Sequence, residues 1–496
     1  MAIIIILAPL LVSLGAAAMR SVTGLPLGEM CVVALVLYAA LSAMCRGRIS
    51  IFGQVSPRVS YQALAVALAC LAPFYVPSSN GFVNLGTADG GNHVRFYQSF
   101  VSTTPDVYNG FVGFYALIFL FEKTLNLWPE LALLFAIGYS MFVVTWILSL
   151  WAISRGASIV ALLGLNLVVI APTAIALQAS GFYPQLYGLS ILGCLMLVCD
   201  RVIAPRGVVS VTLAGVGLLR YAYGLTVSDV FFGGGAYLLT RRKFYGGALL
   251  IALGAYTLSR LLSVITLVGA FTPIFTLGLI ASIALLLVVV QERDRLSYWL
   301  VMSSFVTWLG LGISFGFEHY YIQKYSMGLC LVAGVFVLPY VSSERFKPKA
   351  IALLSFLFLC GAVYPYTRNA VDIARGRYVN PEVDRALVIT IREALSSSDK
   401  PFRVFIGNKW ARTNMVNALF GREFSYSRFE SGALPVEPGC VFFDATDGVA
   451  QRLKRDKFPE VSRLVDRLVE APHTRVTYAA PWAAAGRLTL GIVCEK

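Results

Sequence analysis

Residues 78–110 read SSNGFVNLGTADGGNHVRFYQSFVSTTPDVYNG, a polar stretch between long apolar segments that carries Asp89, His93, Arg95 and Asp106 where nearly every neighbour is hydrocarbon. The contrast has meaning because the whole chain is 58% hydrophobic and 13% charged. With a mean hydropathy of +0.74, that composition suits a chain whose main solvent is lipid. The expected fold class is an α-helical polytopic membrane protein in which 78–110 is the first large loop. Apolar runs of roughly 17–25 residues, the length that crosses a ~30 Å hydrocarbon core, recur to about residue 366 and then stop.

Working outward from the loop, the pattern predicts about 13 spans. Three precede it, at 3–19, 28–45 and 60–76. The others follow at 129–151, 157–177, 182–199, 208–222, 226–240, 246–264, 272–290, 297–315, 325–342 and 349–366. The segment FVGFYALIFLF at 111–121 is too short to join them, since eleven helical residues cover about 16 Å, half the membrane. It is expected to open a half-embedded helix, 111–125, that dips into the interface.

Left uncounted as a span, that segment puts the loops at 46–58, 155, 201–206, 241–243, 293–295 and 345–349 on one side, with 14 of the 20 basic residues before 367. The positive-inside rule makes that side the cytoplasm of a plasma (inner) membrane. The N-terminus is then expected inside, with the loop at 78–110 and everything after residue 366 on the extracytoplasmic face. MAIIIILAPL has no basic n-region and a second span follows closely, so it reads as a helix and not as a signal peptide.

Residues 367–496 hold 20 of the 40 Lys and Arg and 15 of the 26 Asp and Glu, the mixed surface of a soluble domain. The net charge of +14 is thus largely topological. No basic stripe with interleaved aromatics tracks a phosphate backbone, so nucleic acid is not an expected partner. In 381–395, Val383, Leu387, Ile391 and Leu395 share one helical face. Strand-like PFRVFIG, CVFFDA, TRVTYAA and RLTLGIV then alternate with helical RTNMVNALF and FPEVSRLVDRLVE, which predicts a small α/β domain. Cys440 and Cys494 are the two cysteines of this part. Outside the cytoplasm they suit a disulfide, whereas the other seven read as packing residues of the spans. No GxSxG, P-loop, GxGxxG or zinc-spaced CxxC occurs. GNKWARTN, with Trp410, is the most lectin-like stretch.

The outward loops read as one surface. To TADGGNHVRFYQ they add GFYPQ at 181–185, Arg220, Tyr221 and Tyr223 near one turn, and FEHYYIQKYS at 317–326. A first large external loop with an early acid, a helix-like HVRFYQSFV, an aromatic-rich VYNGFVGFYALIFLFEK, external GFYPQ and YYIQK, and a soluble extracytoplasmic tail together resemble the C-type glycosyltransferase superfamily. Two spans here precede the one that normally opens such a protein.

The resemblance implies an inverting hexosyl- or pentosyltransferase that takes a sugar from a polyprenyl-phosphate donor. The acceptor would be a cell-envelope glycan, lipid or protein. Asp89 is the candidate base for the acceptor hydroxyl, and Gly90 and Gly91 would let backbone approach a sugar. Arg220 and Lys324, with His319 behind them, would stabilise the leaving phosphate. Tyr320, Tyr321, Tyr183 and Gln185 are candidate sugar contacts, and Glu318 is a candidate second carboxylate. His93 either orients Asp89 or, beside it, ligates a divalent cation; no other cofactor is implied.

Each residue also has a plainer reading. Asp89 is a turn former in ADGG, and His93 can simply hold the loop. Arg220 can pair with Asp229 inside the membrane. Lys324 and Arg260 can snorkel to headgroups, and Tyr183 and Tyr187 suit an interfacial belt. The rival functions are a lipid-linked oligosaccharide flippase, a solute transporter, or a polysaccharide polymerase or ligase. An enzyme requires a cavity at the outer boundary lined by Asp89, Arg220 and Lys324. A transporter requires one at depth, around Asp229, Arg220 and Arg260.

Overall fold

The computed structural model describes residues 2–44, 57–75, 82–84, 111–165, 183–199, 205–222, 224–262 and 294–316, single residues between these segments, and strands in the C-terminal third. The chain divides into two compact units. One is Met1–Val76 with Pro105–Tyr378, and the other is Pro77–Thr104 with Val379–Lys496. Most of the loop at 78–110 thus groups with the C-terminal residues.

The first unit is helical: α1 (Ala2–Thr23), α2 (Leu27–Met44), α3 (Pro57–Tyr75), α4 (Val112–Leu125), α5 (Pro129–Ser154), α6 (Ile159–Leu165), α7 (Tyr183–Cys199), α8 (Pro205–Ala222), α9 (Val227–Thr240), α10 (Phe244–Leu262) and α11 (Leu296–Phe315). Among the described residues four helices are long and apolar enough to cross a membrane: Ile5–Thr23, Leu27–Met44, Leu131–Ser154 and Leu296–Phe315. α2 leaves Val32, Val36, Leu37 and Leu41 more than half exposed, as a lipid-facing helix does. The candidate spans at 272–290 and 349–366 lie outside the described residues.

α4 is 14 residues long, about 21 Å. Its first half, Val112 to Ile118, is buried throughout, against α1, α5 and α8. A Cβ on Gly113 would stand 2.9 Å from the Tyr221 carbonyl oxygen. That end of the helix is therefore wedged among its neighbours. Asn126, in the left-handed region at φ 50°, closes α4 and lets Pro129 start α5.

Pro9 lies inside α1, where it removes a backbone donor and strains the ladder. The rung next to it is bridged from α5. Tyr139 donates its hydroxyl to the Ile6 carbonyl at 2.7 Å and accepts from the Leu10 N–H at 3.2 Å. One hydroxyl thus stands where the Leu10-to-Ile6 bond of a regular helix would run. Beside it, Tyr187 of α7 shares a 2.8 Å hydrogen bond with the Ser13 hydroxyl and donates to the Leu10 carbonyl at 3.3 Å. Away from water such backbone groups need a partner, and here two tyrosines supply it.

α9 carries Gly233, Gly234 and Gly235 in succession, and their bare backbone admits three neighbours. A Cβ on Gly233 would lie 2.9 Å from the Leu300 Cα of α11, and one on Gly235 2.9 Å from the Gly247 carbonyl of α10. Small residues at crossing points let membrane helices approach closely. α9 is accordingly fixed between α8, α10 and α11.

The second unit contains a two-stranded sheet and a five-stranded sheet. β1 (Phe82–Asn84) pairs antiparallel with β2 (Glu382–Asp384), Val83 opposite Val383. The five-stranded sheet is built from β3 (Phe402–Phe405), β4 (Phe424–Tyr426), β5 (Cys440–Asp444), β6 (Thr474–Ala479) and β7 (Arg487–Cys494), in the order β4-β3-β5-β7-β6. β4 and β5 run parallel to β3, and β7 is antiparallel to both β5 and β6. β3, β5, β6 and β7 fall on the four predicted strands, and β4 was not foreseen. The helix expected over 381–395 begins later, because Val383 is taken into β2 while Ile389 and Glu393 are helical. A backbone partner from the loop outweighs the local helical pattern there. The predicted helices RTNMVNALF and FPEVSRLVDRLVE lie outside the described residues.

Candidate functional site

A fully buried carboxylate marks the site in the helical unit. Asp229 lies in the first turn of α9 and is 1% exposed. It follows the short turn Gly224–Thr226, at the helix end where the backbone dipole favours a negative charge. Its Oδ2 accepts hydrogen bonds from the Ser304 hydroxyl of α11 at 3.1 Å and from the Tyr325 hydroxyl. Oδ1 has no hydrogen-bond partner. Thr307, one turn along α11 from Ser304, stands near the carboxylate but completes no bond to that oxygen. Trp308 extends the network by donating Nε1–H to Ser326 at 2.8 Å, and Ser326 in turn donates to the Ile322 carbonyl at 2.8 Å.

Asp229 faces a cavity between α7, α9, α11 and the segment at 322–332, with about 30 Å³ available to the centres of water-sized molecules. Gln185 and Thr226 add polar groups beside Asp229, Ser304 and Tyr325. The remaining wall is apolar, with Leu189, Leu192 and Met196 from α7 and Leu300 and Val301 from α11. Gly328 leaves room for Gln185, since a Cβ there would lie 3.1 Å from Nε2. No Lys, Arg or His lines the cavity among the described residues.

The sequence-predicted residues distribute as follows. Gln185, proposed as a sugar contact, lies on this cavity and is 3% exposed. Tyr183 is completely buried at the start of α7, so neither ring face is open for a sugar to stack on. Tyr187 is also buried and serves the α1 seam, which corrects its reading as an interfacial belt residue. Arg220 is exposed in the last turn of α8. The Arg220–Asp229 pair does not form: the carboxylate takes hydroxyl partners instead, which cost less to desolvate than a guanidinium.

In the second unit His93 is helical and buried, its ring edge-on to Phe96 with centroids 6.3 Å apart. Asp89, Glu318, His319, Tyr320, Tyr321 and Lys324 lie outside the described residues. Among the described residues no group of three or more His, Cys, Asp or Glu is placed to hold a metal ion. Cys440 and Cys494 occupy directly opposed register positions on β5 and β7. Of the cysteines expected to pack within spans, Cys31, Cys194 and Cys199 are free thiols.

Sequence reasoning singled out Asp229 but gave it the wrong partner, and it missed Ser304, Thr226 and Tyr325. The available signal was a serine pair, Ser303 and Ser304, inside an otherwise apolar span, and a tyrosine directly after Lys324. No protein-family model matches this chain, and no curated protein matches it.

Proposed function

We propose that this chain is a polytopic membrane glycosyltransferase that moves a sugar from a polyprenyl-phosphate donor to a cell-envelope glycan, lipid or protein on the extracytoplasmic face. In this reading about 13 spans carry the polypeptide, and the five-stranded sheet belongs to a small α/β domain outside the cytoplasm. The observation that carries the reading is the antiparallel pairing of β1 with β2. It groups the loop that bears Asp89 with the C-terminal residues in one compact unit, as an external lobe assembled around the first loop would require. The sidedness draws support from Arg241, whose guanidinium donates to the Asp294 carbonyl at 3.2 Å. Two loops assigned to the cytoplasm thereby meet.

The chemistry asked of these residues is an inverting displacement. Asp89 takes the acceptor hydroxyl proton as that oxygen bonds to the anomeric carbon, and the carbon–oxygen bond to the lipid phosphate breaks. Arg220, Lys324 and His319 stabilise the departing phosphate. A divalent cation, if the reaction uses one, would be held by Asp89 and His93.

The test is an Asp89→Asn variant assayed for sugar transfer with membrane lipid extracts as donor. Loss of a general base is expected to slow transfer by about 10²–10⁴-fold at normal expression. Retained transfer would overturn the assignment. The extracytoplasmic placement has its own check. Directly opposed residues of an antiparallel pair have Cα atoms about 4.5–5.5 Å apart, within the span a disulfide bridges. Cys440 and Cys494 are therefore expected as a linked peptide pair in non-reducing mass spectrometry of protein recovered from its native membrane. Two alkylatable thiols there would refute it.

A second reading, a flippase or solute transporter, is favoured by the cavity at Asp229, which lies within the helical unit and which, among the described enzyme candidates, only Gln185 lines. Transport without transfer in the same lipid assay would select it.

A further inference from the structure

From the Asp229 cavity we infer that the helical unit binds a small, largely dehydrated monovalent cation such as sodium, coordinated by Asp229 Oδ1. The inference does not depend on the glycosyltransferase reading. Three observations carry it. First, the carboxylate is 1% exposed and both of its described hydrogen bonds fall on Oδ2, leaving Oδ1 with no partner. Both hydroxyl donors thus serve one oxygen, and the other is left for a ligand.

Second, no basic side chain lines the cavity among the described residues. An ionised carboxylate in a low-dielectric interior needs a countercharge. Third, the cavity offers about 30 Å³ to the centres of water-sized molecules, room for an ion with one or two waters but not for a hydrated shell. The oxygen-bearing side chains of Gln185, Thr226 and Ser304 also line it. A single carboxylate among neutral oxygens matches one positive charge, whereas a divalent ion draws on more carboxylates or on substrate phosphate. The charge would come from Asp229 and the neutral ligands from Gln185, Thr226 and Ser304.

Thermal unfolding of the purified full chain in detergent, in sodium chloride against choline chloride at equal ionic strength and pH 8, tests this. Sodium at well above its Kd is expected to raise Tm by about 2 °C or more over choline, because it binds only the folded site. The rise should vanish in Asp229→Asn. Equal midpoints in the two salts overturn the proposal, as does an undiminished sodium effect in the variant or a response to pH alone, which would assign the place to a proton. Should Asp229→Asn fail to accumulate, equilibrium binding of radioactive sodium to wild-type protein decides. About one equivalent retained and displaced by unlabelled sodium but not by choline is expected, and no retention overturns the assignment.

Discussion

Two polar seams run through the helical unit, and they are finished differently. At the α1 seam, Tyr139, Tyr187 and Ser13 meet the backbone groups of Ile6 and Leu10, and each hydroxyl bridges at least two groups. At the α9 seam, Ser304 and Tyr325 both spend their protons on Asp229 Oδ2, and Oδ1 is left without a partner. The residue types are alike: serine and tyrosine hydroxyls. What differs is whether the group they serve is a rung of a helix ladder, which closes, or a carboxyl group, one of whose oxygens stays without a partner. The first seam reads as a closed rung beside a proline, the second as a place kept open.

That contrast can be strained by mutation. The largest effect is expected from Gly233→Ala, whose Cβ would meet the Leu300 Cα at 2.9 Å. Forcing α9 from α11 there should cost about 3 kcal/mol in unfolding assays and weaken the sodium response with it, because the backbone that carries Asp229 moves. A stable Gly233→Ala protein with an intact response would show that the close crossing does not hold the second seam in place.

Tyr139→Phe comes next. It withdraws both the donor to Ile6 and the acceptor for Leu10, a loss of about 2 kcal/mol, with no change in ion dependence. Asp229→Asn should be mildest in stability, about 1 kcal/mol, since the amide keeps an oxygen for Ser304 and Tyr325. Its signature is a lost sodium effect. If Asp229→Asn instead costs as much as Tyr139→Phe in choline, the two seams are of one kind and the distinction between them fails.

The sequence made some of this architecture readable. Span 28–45 was observed as Leu27–Met44 and span 297–315 as Leu296–Phe315, because a lipid-crossing helix must be apolar along its whole length and hydropathy records that directly. Pairings between distant residues left no such trace. β1 meets β2 across almost three hundred residues, and each strand is only three residues long. Such a segment is too short for alternation to register, and Val383 fitted a helical face just as well. The partners of Asp229 lie 75 and 96 residues away. A serine in a membrane helix usually bonds its own backbone, as Ser304 also does to the Leu300 carbonyl at 3.2 Å. The nearer cation, Arg220, was therefore the natural guess and the wrong one.

The Tyr139 bridge also sets a timetable. Ile6 and the tyrosine that completes its helix are separated by 133 residues. At about 5–20 residues synthesised per second, on the order of ten seconds pass before the hydroxyl exists. Until then the Leu10-to-Ile6 rung of α1 lacks the hydroxyl that bridges it. A helix near the start of the chain thus waits on α5 for its final form.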